Sequence, residues 1–295
     1  MSRGSRCGQN ISPLGSGAQN RGVRGVSPGP LRPSVCRGQR PRVAPVDTSR
    51  GLAVGEGVFT SVLVERGRVF ALDRHLDRLL ASVTALGLPR LPRDDVRRAV
   101  ADAVRTHPVA RGRLRIVWVA GPEGGELLVE LDPVPPAADA VEVVTLPYVV
   151  DHRGVLAGHK TTAYADNVVA LAAARAAGAG EGMLANADGD LCEATAANVF
   201  LVLNGELVTP TLGSGCLPGV TRALVVEACG AREVDVPLEE AAARAEEVFL
   251  TSTTRGVQPV SAWDGRDLPT AGPVLREVRQ HWSLAARDLW WTPGM

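Results

Sequence analysis

Four short strand-like segments follow one another between residues 182 and 209, and they constrain the fold more than any other feature of this sequence. An Asp188-Gly189 turn separates the first two segments, and an Asn204-Gly205 turn separates the last two. Such pairs are typical of tight hairpin turns, because both positions accept the positive φ angles that these turns need. The pattern predicts an antiparallel meander of the strands Gly182–Asn186, Asp190–Glu193, Asn198–Leu203 and Glu206–Thr209.

The rest of the chain from residue 47 onward mixes helix and strand patterns, which predicts an α+β fold. In the segment 72–86, apolar residues recur every three or four positions, as on the buried face of a helix. Further helices are predicted over residues 92–106, 161–177 and 222–228. Runs rich in β-branched residues predict the remaining strands at residues 58–64, 113–120, 126–131, 141–146 and 247–251.

Charge and composition divide the chain into segments. Residues 1–46 contain eight arginines and no acidic residue, so the remaining 24 basic and 32 acidic residues give the rest a net charge of −8. This first segment is rich in Gly, Ser and Pro and has no apolar period, so we expect a disordered extension. Prolines at 133, 135 and 136 mark a domain boundary. The predicted organisation is an extension (1–46), a small α+β domain (47–134), a linker (135–152), a large domain (153–285) and a tail (286–295).

Composition narrows the classes of protein to which the chain can belong. A formal net charge of zero does not indicate a nucleic-acid-binding protein. The five cysteines form no Cys-x-x-Cys pair and no group with histidines at metal-ligand spacing, so we expect neither a metal site nor a disulfide framework. No run approaches the roughly 18 consecutive apolar residues of a membrane span. We therefore expect a cytoplasmic protein that does not bind membranes.

The chain has a single lysine, Lys160, against thirty-one arginines. An arginine cannot lose its proton in a protein, whereas a lysine amine can be deprotonated and can condense with an aldehyde. One hypothesis is therefore imine chemistry at Lys160, which is predicted to lie at a loop-to-helix junction. The alternative is an arginine-biased composition that spared one lysine by chance.

Two segments rich in Gly and hydroxyl residues, 213–221 and 252–256, accompany the lysine. The amides of such loops bind anions, above all at the start of a helix. Glu193 ends a predicted strand and precedes small residues that would let a flat ring approach. An amine, a phosphate cradle and a carboxylate that keeps a pyridine nitrogen protonated are what pyridoxal phosphate requires. The alternative for Glu193 is an ordinary surface acid at a strand end.

Six motifs occur in order within residues 47–270. They are Arg50–Phe59, His75–Leu79, Lys160 with Asn167, Glu193 with Ala197–Phe200, Thr209-Pro210, and Leu217–Arg222. Together they resemble the class IV aminotransferase family, the fold-type IV pyridoxal-phosphate enzymes, which include branched-chain and D-amino acid aminotransferases and 4-amino-4-deoxychorismate lyase. The resemblance implies a two-domain fold like that of D-amino acid aminotransferase, with a small N-terminal α/β domain and a larger domain that contains the meander. It also implies a homodimer with the active site near the subunit boundary.

The resemblance implies a role around pyridoxal phosphate for each matching residue. Lys160 would form an imine with the cofactor and later move the Cα proton of the substrate. Glu193 would pair with the pyridine nitrogen, and Leu217 would pack against the ring. Tyr164 would either hydrogen-bond the cofactor or simply pack. The phosphate end would be formed by Arg78, Gly219, Val220, Thr221 and Thr253.

The reaction is predicted from two short runs, Phe59-Thr60-Ser61 and Ala196-Ala197-Asn198, both of which resemble the lyase. Aminotransferases of the family more often have Glu after the aromatic residue. The expected reaction is therefore that of 4-amino-4-deoxychorismate lyase, which eliminates pyruvate and gives p-aminobenzoate for folate synthesis. One alternative is transfer of an amino group from a branched-chain or D-amino acid to a 2-oxo acid. Another is a non-catalytic anion-binding scaffold in which Lys160 serves only as a cation.

Three residues are weaker candidates for contacts to the small-molecule amino substrate: Thr60, Arg113 and Arg115. The two arginines lie two positions apart on a predicted strand and therefore share one face of it. There are two alternatives. Either both side chains point into the site and bind a substrate carboxylate, or both are solvated strand cations.

Overall fold

The computed structural model describes residues 54–121 and 124–294, and it confirms the predicted α+β fold. The predictions for residues 1–53, which include the extension and the start of the Arg50–Phe59 motif, lie outside these ranges. The strands are β1 (Gly57–Glu65), β2 (Arg68–Phe70), β3 (Arg111–Gly121), β4 (Gly124–Pro133), β5 (Val141–Val150), β6 (Glu181–Asn186), β7 (Leu191–Ala194), β8 (Asn198–Leu203), β9 (Glu206–Thr209), β10 (Arg232–Glu233), β11 (Glu247–Ser252), β12 (Gly256–Trp263), β13 (Arg266–Asp267) and β14 (Trp290–Trp291). The helices are α1 (Leu72–Ala85), α2 (Arg93–Thr106), α3 (Ala165–Ala176), α4 (Val220–Cys229), α5 (Leu238–Arg244) and α6 (Pro273–Ala285), with 3-10 turns at Leu212–Ser214 and Arg287–Leu289.

The first sheet has, in the described part of the chain, five strands in the order β14-β2-β1-β3-β4. All neighbouring strands in it are antiparallel. Residues of β3 alternate between buried and half-buried, as expected for a strand with one face on a core. The helices α1 and α2 cover that face, because their regularly spaced leucines and valines join the apolar side chains of β1 and β3. Both helices lie within one residue of their predicted bounds.

The second sheet has nine strands within the described residues, eight in the order β10-β9-β8-β11-β12-β5-β6-β7 and β13 beside β12. The hairpins β6–β7 and β8–β9 form as predicted. The predicted continuous meander is wrong, because β11 lies beside β8 and β7 meets β8 at a turn, through a bridge between Ala194 and Ala197. The pattern of residues 182–209 could not reveal this arrangement, since β11 comes much later in the chain. The core of this layer includes the fully buried Trp263.

Two segments differ from their predicted assignments. The assigned linker, 135–152, contains β5, which pairs in parallel with both β12 and β6 inside the second sheet. The assigned tail, 286–295, contains β14, which pairs with β2, and Trp290 packs against Phe70 with 5.2 Å between ring centroids. The two-residue strand β14 is too short for a periodic pattern to reveal its pairing. Every helix in the described ranges is too short or too polar to span a bilayer.

The segment before α3 connects the two sheets. The Phe59 amide donates a hydrogen bond to the Lys160 carbonyl at 2.8 Å, and the Thr162 amide donates to the Gly57 carbonyl at 2.9 Å. Residues 160–162 are therefore extended chain beside β1, and α3 begins at Ala165 rather than at the predicted residue 161. This pairing fixes the position of Lys160 against a strand of the first sheet, while the helix that follows packs on the second.

Candidate active site

A cavity of about 440 Å³ opens between the two sheets. Its wall on one side comes from β1, α1 and β3, and on the other from β7, the start of α4 and the β11–β12 turn. The cavity brings together every residue that the sequence assigns to the cofactor and both arginines assigned to the substrate. These lining residues are Arg78, Arg113, Arg115, Lys160, Tyr164, Glu193, Leu217, Gly219, Val220, Thr221 and Thr253.

Lys160 lies between two aromatic rings. Its Nζ donates a hydrogen bond to the Tyr164 hydroxyl at 3.1 Å and lies 4.6 Å from the centroid of the Phe59 ring. The two rings meet edge to face at 5.2 Å. Burial, and then the positive charge of Arg78, lower the pKa of Lys160 from 10.5 to about 8. At that pKa an appreciable share of the amine is neutral, and hence nucleophilic, near neutral pH.

Glu193 lies near the end of β7 with its carboxylate buried. Its Oε2 accepts hydrogen bonds from the Leu217 amide at 3.0 Å and from Asn198 Nδ2 at 3.4 Å. Asn198 Nδ2 also donates to the Leu217 carbonyl at 2.8 Å, which ties the loop before α4 to this strand. Burial raises the pKa of Glu193 to about 7, against the opposing effects of the Leu217 amide and Lys160. A cationic partner in the cavity would therefore favour its ionised form.

The start of α4 forms an anion site at one end of the cavity. Gly219 precedes the helix, and the amides of Val220 and Thr221 belong to its first turn, where amides have no partner within the helix. The Thr221 hydroxyl is buried and has no hydrogen-bond partner among the described residues. A Cβ at Gly219 would lie 2.0 Å from Asn198 Oδ1, so a larger residue would displace that side chain. These donors and the positive end of the helix dipole favour a bound anion.

Arg78, on α1, contributes to the same end. Its Nη2 donates a hydrogen bond to Thr60 Oγ1 at 2.8 Å. Burial lowers the pKa of Arg78 to about 10, so the side chain is still a cation at neutral pH. Thr60 Oγ1 lies 2.9 Å from His75 Nδ1, and His75 Nε2 lies 3.3 Å from Thr253 Oγ1. A chain of polar atoms therefore connects Arg78 to Thr253 beneath the cavity wall.

The geometry contradicts one predicted site residue. Thr60 has no exposed surface and forms hydrogen bonds to side chains of α1, so it does not line the cavity. Because side chains alternate along a strand, its neighbours Phe59 and Ser61 face the cavity instead. The Phe-Thr-Ser run lies at the site as predicted, but Ser61 is the residue whose hydroxyl a substrate can reach.

Arg113 and Arg115 share the cavity face of β3. The Arg115 guanidinium carbon lies 5.2 Å from the centroid of the Phe59 ring, and Arg113 forms a long ion pair of 3.7 Å with Asp132. The Nε atoms of both arginines are buried and have no hydrogen-bond partner in the described ranges. A carboxylate is the group that a guanidinium binds best, because two parallel N–H groups match its two oxygens. This end of the cavity is therefore suited to a carboxylate.

Comparison with known proteins identifies the family. The sequence model of "Amino-transferase class IV" matches residues 57–263. The chain belongs to this family. The predicted class of enzyme is thereby confirmed, since class IV aminotransferases depend on pyridoxal phosphate.

Relatives of this class IV aminotransferase have several names. It is 29% identical over 245 residues to the bifunctional aminodeoxychorismate lyase / D-amino acid transaminase of Mycobacterium tuberculosis, an alignment that covers 73% of this chain and 84% of the relative. The branched-chain aminotransferase of Thermoproteus uzoniensis, solved with norvaline, superposes with a TM-score of 0.77 at 25% identity, covering 84% of this chain and 94% of that one. A hypothetical aminotransferase from M. tuberculosis in its PLP-bound form gives 0.75 at 26% identity, with 84% and 95% covered. The predicted α+β fold of the fold-type IV kind is confirmed.

Sequence reasoning missed a second buried carboxylate at this class IV site. Glu181 accepts a hydrogen bond from the Ala196 amide at 2.9 Å and another from the Thr195 hydroxyl, and it pairs with Arg255 at 2.6 Å. The pair supports the 195–197 turn that lines the cavity beside Glu193. No short motif joins residues this far apart, so the sequence carried no signal for it. In the described part of the chain, no cluster of His, Cys, Asp or Glu is suited to a metal ion.

Proposed function

We propose that this class IV aminotransferase binds pyridoxal phosphate covalently at Lys160. The side chains in the cavity fit the cofactor: an amine with a pKa of about 8, a buried carboxylate suited to a protonated ring nitrogen, and donors at a helix start that suit a phosphate. One observation carries the proposal. The only lysine of the chain lines the same cavity as the Thr221 hydroxyl, a buried group that has no hydrogen-bond partner among the residues described by the structure. A phosphate oxygen would supply that partner.

The residues around the cofactor would divide the chemical work. When bound, pyridoxal phosphate supplies an electron-withdrawing ring that stabilises negative charge at the substrate carbon. Glu193 would hold the proton on the ring nitrogen, and Arg78 and Thr221 would hold the phosphate. The neutral amine of Lys160 would take the proton from the substrate carbon. Burial and the nearby Glu193 raise the pKa of Tyr164, so its hydroxyl stays protonated beside that amine.

A substrate with two carboxylates fits the rest of the cavity. Arg113 and Arg115 remain after Arg78 has been assigned to the phosphate, and Glu181 is already neutralised by Arg255. Aminodeoxychorismate carries two carboxylates, one on its ring and one on its enolpyruvyl group. We propose that the chain releases pyruvate from it and forms p-aminobenzoate. The Phe-Thr-Ser run, the hydroxyl of Ser61 at the cavity wall, and the name of the M. tuberculosis relative support this choice.

Transamination is the second candidate. The two reactions share every step up to removal of the substrate proton, and 2-oxoglutarate also carries two carboxylates for Arg113 and Arg115. Many relatives bear the name of branched-chain aminotransferases, including that of T. uzoniensis. The choice between the two reactions depends on which substrate the arginines accept.

The experiment compares both reactions in one preparation. The full chain, reconstituted with pyridoxal phosphate, is given aminodeoxychorismate, and pyruvate and p-aminobenzoate are measured. In parallel it is given branched-chain L-amino acids or D-alanine with 2-oxoglutarate, and glutamate is measured. We expect equal amounts of pyruvate and p-aminobenzoate. Formation of glutamate without p-aminobenzoate would contradict the lyase proposal and support an aminotransferase. A colourless, inactive protein would favour the anion-binding scaffold.

We also propose that the chain forms a homodimer. Several large apolar side chains are exposed around the end of β5, the loop after it and α3: Tyr148, Val149, Val155, Leu156, Val168 and Val169. Exposed apolar side chains on neighbouring elements are typical of a surface that another protein covers. Light scattering after size-exclusion chromatography should give twice the 30.9 kDa mass of the chain. A monomer at micromolar concentration would contradict this proposal.

A further inference from the structure

Four side chains form a continuous line of hydrogen-bonding atoms from α1 to the anion end of the cavity. The line runs from Arg78 Nη2 to Thr60 Oγ1 (2.8 Å), to His75 Nδ1 (2.9 Å), and from His75 Nε2 to Thr253 Oγ1 (3.3 Å). Thr60 and His75 have no exposed surface, so bulk solvent does not reach their hydrogen-bonding atoms. Only Arg78 and Thr253 line the cavity. The direction of each hydrogen bond therefore follows from the chemistry of the four groups.

The direction is set at Arg78. A guanidinium has only donors, so Thr60 Oγ1 must accept from it. A hydroxyl has one hydrogen of its own, and among the described residues the acceptor within reach of Thr60 is His75 Nδ1. The Thr60 hydroxyl therefore donates to Nδ1, which must carry a lone pair rather than a hydrogen.

The protonation state of His75 at Nδ1 determines the direction of its second hydrogen bond, the one to Thr253 at the cavity. A neutral imidazole that accepts at Nδ1 carries its hydrogen on Nε2, and that hydrogen points to Thr253 Oγ1. The Thr253 hydroxyl accepts this bond, so its own hydrogen is left for a partner in the cavity. The hydroxyl of Thr221, which also lines the cavity, likewise has no acceptor in residues 54–121 and 124–294. The two threonines and Arg78 thus each have a donor left for a group bound in the same cavity.

The opposite direction does not satisfy the buried groups. If Thr253 donated to His75 Nε2, then Nδ1 would carry the hydrogen and donate to Thr60. Thr60 Oγ1 would accept from both Nδ1 and Arg78, and its own hydrogen would be buried without an acceptor, which is costly. A doubly protonated ring would leave the same hydrogen unpaired. Burial, Arg78 and Lys160 also lower the pKa of His75 well below its usual value of 6.5, so the cation is disfavoured.

We propose that His75 is a positioning residue that, as the neutral Nε2–H tautomer held by Thr60, turns the Thr253 hydroxyl into an obligatory donor to the phosphate of the cofactor. The identity of the anion as the phosphate of the cofactor rests on the function proposed above. The tautomer itself does not, because it follows from protein atoms alone. His75 lies three residues before Arg78, so the same helix face carries both the cation and the group that orients the second donor.

The first test measures the tautomer in the cofactor-free full chain. With ¹⁵N-labelled histidine, the side-chain nitrogens of the five histidines are recorded, and those of His75 are assigned by their disappearance in His75→Gln. We expect a hydrogen on Nε2, none on Nδ1, and no change as the pH falls below about 6.5, where an ordinary histidine becomes a cation. A hydrogen on Nδ1, or a His75 cation at neutral pH, would overturn the proposal. This arm decides the tautomer even if the chain binds no cofactor.

The second test separates a role at the phosphate from a purely structural one. Apparent affinities for pyridoxal phosphate and for pyridoxal, which lacks the phosphate, are measured by visible absorbance. Thr253→Val and His75→Leu should each weaken pyridoxal phosphate about tenfold and leave pyridoxal unchanged. The variant that carries both substitutions should bind pyridoxal phosphate no more weakly than Thr253→Val alone. His75→Gln, whose amide can still donate toward Thr253, should recover part of the loss.

Two results of the second test would overturn the proposal. One is an equal loss of affinity for both ligands in His75→Leu, which would indicate a general disturbance of the fold. The other is additivity of the two substitutions, which would show that His75 does not act through Thr253. Thr209→Val is the matched control, because its hydroxyl is also buried but donates to the Val199 carbonyl away from the cavity. It should leave the affinities for both ligands unchanged.

Discussion

The two ends of the cavity are built differently. At the end near α4, Arg78 and Thr253 are held by a buried hydrogen-bond line through Thr60 and His75. At the other end, the guanidinium of Arg115 lies over an aromatic ring, and its Nε lacks a hydrogen-bond partner within the described residues. The first arrangement suits an anion that stays bound, and the second suits one that enters and leaves. We call them the cofactor end and the substrate end.

The largest predicted effect is at Glu193, which is proposed to pair with the ring nitrogen of the cofactor. Glu193→Gln keeps the shape of the side chain but cannot provide the charge that holds a proton on the ring nitrogen. Turnover should fall by about two to three orders of magnitude, as when one preorganised electrostatic group is removed from an active site. Steady-state kinetics check this. Glu206→Gln, at an exposed strand position, is the control, and an equal loss there or no loss at Glu193 would contradict the assignment.

The next effect tests the cofactor end. Arg78→Met removes a buried cation, and the apparent affinity for pyridoxal phosphate should fall about a hundredfold, because bonds between a charged donor and a charged acceptor are the strong ones. Titration of the cofactor-free chain by absorbance measures the change. Arg74→Met is matched to it, since Arg74 lies on the same helix but pairs with Glu227 at the surface. A higher KM for the substrate, with an unchanged affinity for pyridoxal phosphate, would show that Arg78 belongs to the substrate end instead.

A smaller effect is expected at the substrate end. Arg115→Met should raise KM for the dicarboxylate substrate about tenfold and leave the affinity for pyridoxal phosphate unchanged, because the side chain is partly exposed to the cavity and solvent partly replaces it. Arg105→Met, at the exposed end of α2, serves as the control. If Arg115→Met instead weakened the cofactor, the distinction between the two ends would fail.

The smallest predicted effect concerns the pH at which Lys160 becomes reactive. Burial and Arg78 disfavour the cation, so the neutral amine should be half-populated at about pH 8 rather than at 10.5. Reductive labelling of the cofactor-free chain with a small aldehyde, quantified on the peptide that contains Lys160, should rise with that midpoint. Arg78→Met should move the midpoint upward. A midpoint near 10.5 in the unmodified chain would show that the lysine is solvated.

The sequence predicted the local features of the fold, and it pointed to residues that line one cavity in the structure. Lys160 was identified because no other lysine exists, and Glu193 because a strand ends there before small residues. Both identifications depend on composition and short-range patterns that can be read directly from the sequence. The place of β11 beside β8 depends on pairing between distant segments, and a linear pattern does not encode it.

The errors at the site have a similar cause. Thr60 was assigned to the substrate although strand alternation places it opposite Phe59, which faces the cavity. His75 belonged to a recognised motif without a role, because its partners lie on β1 and in a turn far along the chain. The spacing of His75 and Arg78 on one helix face was the available signal. For the pairing of Glu181 with Arg255 the sequence contained no comparable signal.

The central claim is that Lys160 carries the cofactor, and borohydride reduction of the reconstituted full chain tests it most directly. Reduction fixes the carbon–nitrogen bond, and peptide mass spectrometry then locates it. We predict one pyridoxyl phosphate per chain, on Lys160, with loss of the visible absorbance band. An adduct at the N-terminal amine alone, or no adduct in a chain saturated with pyridoxal phosphate, would contradict the account.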